Sequence, residues 1–356
     1  MADKVRGMFL GVGIGDSLGM AVEGWQADRI SEQYPDGVRD YKLPVGHKWF
    51  EGQLAGSGTD DTYLTLATAE AMIEGEVLNL ESQSQHLVAA MREATRRAPK
   101  EHKGGSGVPG WGITTASAVR NMANNVPWWE SGKTSNPHRG HGNGVVMRQS
   151  PIAPVWLTYR KHFALYGREH VFYQWLVDFS AMTHYTKQSA IAAIVHNAVL
   201  TRCLEKCGAD YHIGNDFYAV FDSCRSIFGT LETSHLVDTE IDMWLELDKV
   251  TRSKDWDPDK IRAEFGAGSC NVGHSLPFSY AFWAKNCKDI TSLYTVVEAG
   301  GDTDTNGSVI GGMLGALHGQ SVFPQHLKDG LLESSRLLNA AEALCFKLKK
   351  LSPGGR

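Results

Sequence analysis

A chain of 356 residues, 42% of them hydrophobic, carries enough apolar material for a large core, and its formal net charge of −5 is spread without basic stripes. That balance argues against nucleic acid or a membrane surface as the main partner. Six cysteines with no CxxC pair exclude the disulfide framework of a small secreted domain and suit reduced thiols in a cytoplasmic protein.

The first predicted element covers residues 4–18. It is apolar enough to resemble a secretion signal, but glycines and Asp16 interrupt it, so it reads as an internal helix. No uninterrupted run of 18 apolar residues is present to span a bilayer. Apolar residues at i, i+3, i+4 predict further helices over 62–74, 82–97, 113–122, 171–182, 188–206, 215–227, 236–251, 290–298, 306–317 and 330–348. Period-2 alternation is nearly absent, so the expectation is an all-α protein. Loops are expected at 100–112, 128–144 and 251–271, and no Pro/Ser-rich linker divides the chain, so one domain should cover 1–356. In the helix over 306–317, Gly311, Gly312 and Gly315 would each cost an isolated helix about 1 kcal/mol relative to Ala. That composition makes sense where a neighbouring backbone comes very close.

Two acidic clusters carry the chemistry. Gly300-Gly301-Asp302-Thr303-Asp304-Thr305 sets two carboxylates and a hydroxyl on a glycine turn, and Thr59-Asp60-Asp61-Thr62 follows Gly56-Ser57-Gly58. Each opens an apolar helix. Taken singly, each fits helix N-capping; taken together, they supply the oxygen-only inventory that Mg²⁺ or Mn²⁺ requires. If they meet, each carboxylate pair at about 5 Å repels by roughly 3 kcal/mol at an effective dielectric near 20, so the cluster calls for cations or protons. Gly142-Asn143-Gly144 offers backbone amides to a phosphate, and His184 lies between two predicted helices. Asp302-Thr303-Asp304 departs from the phosphatase DxDx[TV] pattern at Asn306, and Asp60-Asp61 fails the DDxxD pattern at Leu64. His138 and His141 lack the spacing of a closed zinc site.

Five ordered segments, GVGIGDSLGMAVE, GSGTDDTYLTLATAEAMIE, GNGVVMRQSPIAP, THYTKQSAIAAIVHNAVL and EAGGDTDTNGSVIGGMLGALHG, together closely resemble the ADP-ribosylglycohydrolase family. That family includes dinitrogenase reductase-activating glycohydrolase and the ADP-ribosylarginine and ADP-ribosylserine hydrolases. The resemblance implies a compact orthogonal helical bundle with a central binuclear cleft holding two Mg²⁺ or Mn²⁺ ions. Thr59, Asp60, Asp61, Asp302, Asp304 and Thr305 would be the ligands. Glu23 would lie beside the distal ribose, and Asn143, Gly144, Met147, His184 and Gly301 would contact substrate. Asp60, Asp61 or Glu23 would act as the base. The implied activity is removal of ADP-ribose from a modified side chain, arginine first, by a monomer. Hydrolysis of another ADP-ribose-containing or phosphorylated small molecule, or non-catalytic ADP-ribose binding, are the alternatives. Trp25, Trp111, Trp128, Trp129 and the loop over 128–144 match no segment of the family pattern.

Overall fold

Two helices packed backbone against backbone organise this molecule. The computed structural model describes residues 1–97, 106–108, 110–136 and 138–351; most of the expected loop at 100–112 and the last residues of the expected domain lie outside them. Among the described residues there are seventeen α-helices and no β-strand, in agreement with the all-α expectation. In chain order they are α1 (Ala2–Gly19), α2 (Ala27–Gln33), α3 (Asp60–Glu74), α4 (Leu80–Arg97), α5 (Ile113–Ala123), α6 (Trp128–Ser131), α7 (Ala153–Leu165), α8 (Glu169–Ala181) and α9 (Lys187–Glu205). The rest are α10 (Ala219–Phe228), α11 (Met243–Val250), α12 (Pro258–Glu264), α13 (Val272–Lys285), α14 (Thr291–Glu298), α15 (Thr303–His318), α16 (Gln325–Gly330) and α17 (Ser334–Leu351).

α1 and α15 form the centre. Gly7, Gly11, Gly15 and Gly19 repeat every four residues along one face of α1 and meet Gly315, Gly311, Gly307 and Thr303 of α15 in reverse order, so the two helices are antiparallel. A methyl group at any of these α1 glycines would overlap backbone atoms of the other helix. Ser308 Oγ donates to the Val12 carbonyl at 3.2 Å and Thr303 Oγ1 to that of Gly19 at 2.7 Å, tying the seam together. By length and composition α1 could cross a bilayer. It is instead a core helix, buried on nearly every side.

This seam decides where the site forms. The C-terminal end of α1 lies beside the N-terminal end of α15, so the chain after Gly19 and the loop before Thr303 become neighbours. They are joined through Gly24 N–H to Gly301 O (2.8 Å) and Gly301 N–H to Trp25 O (3.0 Å).

Several expected elements differ from the structure. The helix expected over 236–251 is only Met243–Val250, because Asp242 caps it by accepting from Trp244 and Leu245 N–H. The expected loop at 251–271 contains α12, started by Asp257 and Pro258. Gly330 does not open the final helix; it ends α16, and α17 begins at Ser334. The expected loop at 128–144 begins with the single turn α6. α7 and α13 have no counterpart among the expected elements. Pro154 in the first turn of α7 is a helix starter, and α13 carries Pro277 internally and is buried nearly all round, so it lacks an amphipathic stripe.

Candidate metal centre and substrate cleft

The two acidic clusters meet. Thr59 Oγ1 lies 3.5 Å from Asp304 Oδ2, and Thr305 Oγ1 donates to Asp61 Oδ2 at 3.1 Å, so each cluster contributes a hydroxyl to a carboxylate of the other. Glu23 completes the group: carboxylate oxygens of Glu23, Asp302 and Asp304 lie within 4.8 Å of one another.

Local structure explains each placement. Gly300 and Gly301 have φ of +79° and +84°, a region that favours glycine. This tight turn aims Asp302 away from the helix it precedes. Asp302 occupies the N-cap position of α15 yet makes no capping bond; its Oδ2 accepts instead from Asn143 Nδ2 at 3.1 Å. Asn143 is held by Ser275 Oγ at 3.0 Å, and Ser275 in turn donates to Asn306 Oδ1 at 2.8 Å.

At α3 the cap comes from another helix. Asp16 of α1 is fully buried, and its Oδ2 accepts from Thr59 N–H (2.8 Å), Thr62 N–H (3.0 Å) and the Thr62 hydroxyl. Asp16→Ala should weaken Mn²⁺ binding by about tenfold or more, the usual scale for removing a group that orients ligands. Asp16→Asn, which keeps an acceptor oxygen, should retain most of it. Titration of both variants with Mn²⁺ checks this, and equal affinities in the two would remove the orienting role.

Burial dominates the electrostatics. It raises the carboxyl groups of Asp60, Asp61, Asp304 and Glu23 well above the usual range, and neighbouring carboxylates add to it: Asp16 and Asp302 for Asp60, Asp16 and Asp60 for Asp61, Glu23 and Asp302 for Asp304, Asp302 and Asp60 for Glu23. Asp16 is pushed up to about 6 by burial, against the bonds from Thr62 and Thr59. The folded metal-free protein therefore holds protons that the unfolded chain, with carboxyls near 4, has released. Its stability should fall as pH rises above about 4 and through the value near 6 to which Asp16 is pushed, and saturating Mg²⁺ or Mn²⁺ should abolish that fall. Melting temperatures with and without EDTA across this range decide it; a flat metal-free profile would mean the carboxylates do not share one volume.

The donor set suits a hard cation. It consists of carboxylate and hydroxyl oxygens, and Asp61 Oδ1 is buried without a hydrogen-bond partner among the described residues. Glu23, Asp60, Asp302, Asp304 and Thr305 face a cleft of about 690 Å³, within the range of roughly 300–1,000 Å³ usual for ligand sites. Thr59 and Asp61 stand behind them, buried. Asn143, Gly144, Met147 and His184 also line the cleft, as do Trp49 and Trp111. Gly301 is not part of the lining among the described residues; it acts through its backbone bonds to Gly24 and Trp25.

Among the wall residues that escaped the sequence reading are two groups on irregular chain. Lys48 and Trp49 arrive on an irregular segment pinned by His47, whose Nε2 lies 2.9 Å from the Glu23 carbonyl. Ser269, Cys270 and Asn271 arrive through the pairing of Gly142 with Asn271. No motif marked either. Of the tryptophans left unassigned, Trp111 is buried against the cleft, while Trp128 and Trp129 pack edge to face with centroids 5.3 Å apart.

Comparison with known proteins agrees with this architecture. The sequence profile of the ADP-ribosylglycohydrolase family matches residues 1–353. An uncharacterized protein of Archaeoglobus fulgidus is 26% identical over 352 residues, covering 99% of this chain and 97% of its own. The uncharacterized protein YegU of Escherichia coli is 22% identical over 357 residues, covering 92% of each. A solved structure described as an ADP-ribosylglycohydrolase-related protein complex superposes with a TM-score of 0.65 at 22% identity, covering 96% of this chain and 97% of the other, a likeness of fold.

Proposed function

The chain belongs to the ADP-ribosylglycohydrolase family of glycosidic-bond hydrolases, and from that premise we propose that it removes ADP-ribose from modified protein side chains with two Mg²⁺ or Mn²⁺ ions bound at the acidic floor of its cleft. The observation that carries this reading is the convergence of Glu23, Asp302 and Asp304 on one point in the wall of a ligand-sized cleft.

Asp302, Asp304, Thr305, Asp60, Asp61 and Thr59 are the residues that would hold the cations. When bound, such ions polarise oxygen groups and make water more acidic. The chain's own groups account for the rest. Cleavage at C1 of the distal ribose develops oxocarbenium character, and carboxylates fixed nearby stabilise that charge without reorganising. Glu23 is held by the backbone pairing of Gly24 with Gly301, and its half-buried carboxylate can take a proton from attacking water or return one to the leaving group. Asn143, fixed between Ser275 and Asp302, orients substrate against the floor. Val108, Trp111, Ile113 and Met147 give the cleft an apolar wall suited to a base and ribose.

The test is release of free ADP-ribose from arginine-, serine- and glutamate-ADP-ribosylated proteins and from ADP-ribosylated small molecules, each with Mg²⁺, Mn²⁺ and EDTA. Arginine is the expected acceptor, with release lost in EDTA. Turnover of small molecules alone would transfer the activity to that substrate class, and ADP-ribose binding without turnover of any substrate would leave a binding protein.

A further inference from the structure

Arg148 is fully buried, with no carboxylate among its hydrogen-bond partners in the described residues. Its Nη2 donates to the Thr183 hydroxyl at 2.6 Å and to the Phe179 carbonyl at 3.3 Å, and the guanidinium lies 4.3 Å from the Phe179 ring centroid. Nε and Nη1 are buried without hydrogen-bond partners among the described residues. Burial pushes the group down to about 9, so it remains a cation at neutral pH. A buried cation lacking a counter-ion is a costly arrangement and asks for a reason.

The hydrogen bonds supply one. A guanidinium only donates, so the Thr183 oxygen accepts from Arg148 and its own proton is left to give. His184 Nδ1 lies 2.8 Å from that oxygen. With Nδ1 accepting, a neutral imidazole carries its proton on Nε2. The reverse arrangement would set two donors on one hydroxyl oxygen in the field of a buried cation. Burial, and then the Arg148 charge, push His184 down to about 3, so the ring is neutral across the physiological range. Its other edge faces two glycines of the cleft wall. A Cβ on Gly142 would lie 3.2 Å from Nε2, and one on Gly144 would lie 3.2 Å from Cε1. Side chains there would crowd the imidazole; glycines leave it open to the cleft.

We propose that Arg148 and Thr183 are positioning residues that hold His184 as a neutral ring with its Nε2 proton directed into the cleft, where it donates to an anionic oxygen of the substrate. Naming that oxygen as one of the ADP-ribose diphosphate rests on the function proposed above; the relay itself does not. The chain of bonds from Arg148 through Thr183 polarises the imidazole and strengthens its donor. Such a donor is present at any pH near neutral, because it needs no protonation to act.

The experiment is nitrogen-15 NMR of histidine-labelled full-length protein, paired with ADP-ribose titration by calorimetry. The expected result is an unprotonated Nδ1 and a protonated Nε2 for His184. Thr183→Val should scramble the tautomer and weaken ADP-ribose binding roughly ten- to hundredfold, as for loss of a hydrogen bond to a charged oxygen, whereas Thr183→Ser should restore both. Arg148→Met should disturb the tautomer while keeping or raising the melting temperature, since an apolar side chain relieves the buried charge. Should that variant fail to fold, the Thr183 pair still decides the matter. An Nδ1-protonated His184 in the wild type, or a Thr183→Val protein with unchanged tautomer and affinity, overturns the relay. A wild type with the expected tautomer but no affinity for ADP-ribose upholds the relay and removes the diphosphate reading instead.

Discussion

Asp304→Asn should sharply reduce metal-dependent turnover and at the same time raise the melting temperature of the metal-free protein. The two effects have one cause. Asp304 is buried, with carboxylate oxygens of Glu23 and Asp302 within 4.8 Å and Asp61 adding to the same field. In metal-free protein that crowding opposes folding, each charged pair at about 5 Å contributing roughly 3 kcal/mol of repulsion at an effective dielectric near 20, less whatever protonation relieves. Asparagine keeps the acceptor for Thr305 N–H, which Asp304 Oδ1 now takes at 2.8 Å, and removes the charge. Turnover should fall about a hundred- to a thousandfold, the range for deleting one group that stabilises transition-state charge. The checks are ADP-ribose release and calorimetric melting of both proteins with Mn²⁺ and with EDTA. Wild-type turnover in the variant would show that the acidic floor is not the catalytic centre. A lower metal-free melting temperature would show that the carboxylates are not in conflict.

Gly311→Ala and Gly312→Ala, one residue apart, should differ sharply in stability. A methyl group at Gly311 would overlap the Gly11 carbonyl across the α1–α15 seam, and backbone there has no room to yield while Gly7 and Gly15 make the same contact one turn either side. A methyl at Gly312 would lie 3.3 Å from Ser150 Oγ and Val12 Cγ2, side-chain atoms that can shift by a few tenths of an ångström. Overpacking a core commonly costs about 1–3 kcal/mol, and parting two helices along a glycine seam falls at or beyond the upper end. At Gly312 the mild crowding is offset by the gain of about 1 kcal/mol from replacing a helical glycine with alanine. Thermal unfolding should therefore show Gly311→Ala strongly destabilised, or insoluble, and Gly312→Ala close to wild type. Similar melting temperatures for the two would mean that the helices do not meet backbone to backbone. Because the seam also sets Glu23 beside Asp302, a folded Gly311→Ala protein should bind Mn²⁺ more weakly.

Both arguments begin in features legible along the chain. Gly311, Gly312 and Gly315 in an apolar helix implied close backbone approach; the structure supplies the partner, α1, with its matching four-residue repeat, for Gly311 and Gly315, while Gly312 meets side chains instead. Two Thr/Asp clusters on glycine turns implied that they meet, and each places a hydroxyl against a carboxylate of the other. The capping alternative was distinguishable only in three dimensions: Thr59 caps weakly, accepting from Asp61 N–H at 3.4 Å, while Asp302 does not cap at all. Helix α13 was illegible because burial on all sides erases the periodicity by which helices are recognised, and Pro277 within it suggests a break.

By itself, then, the sequence determined the all-α class, the oxygen-rich chemistry of the site and the family pattern, because these follow from periodicity and from residues adjacent in the chain. Only the tertiary structure decided that Glu23 faces Asp302 and Asp304, that Asp16 caps a helix other than its own, and that a buried arginine stands behind His184. Each of these pairs residues on different elements, and which elements touch is set by the backbone contact of α1 with α15 and by burial, neither of which any local spacing encodes.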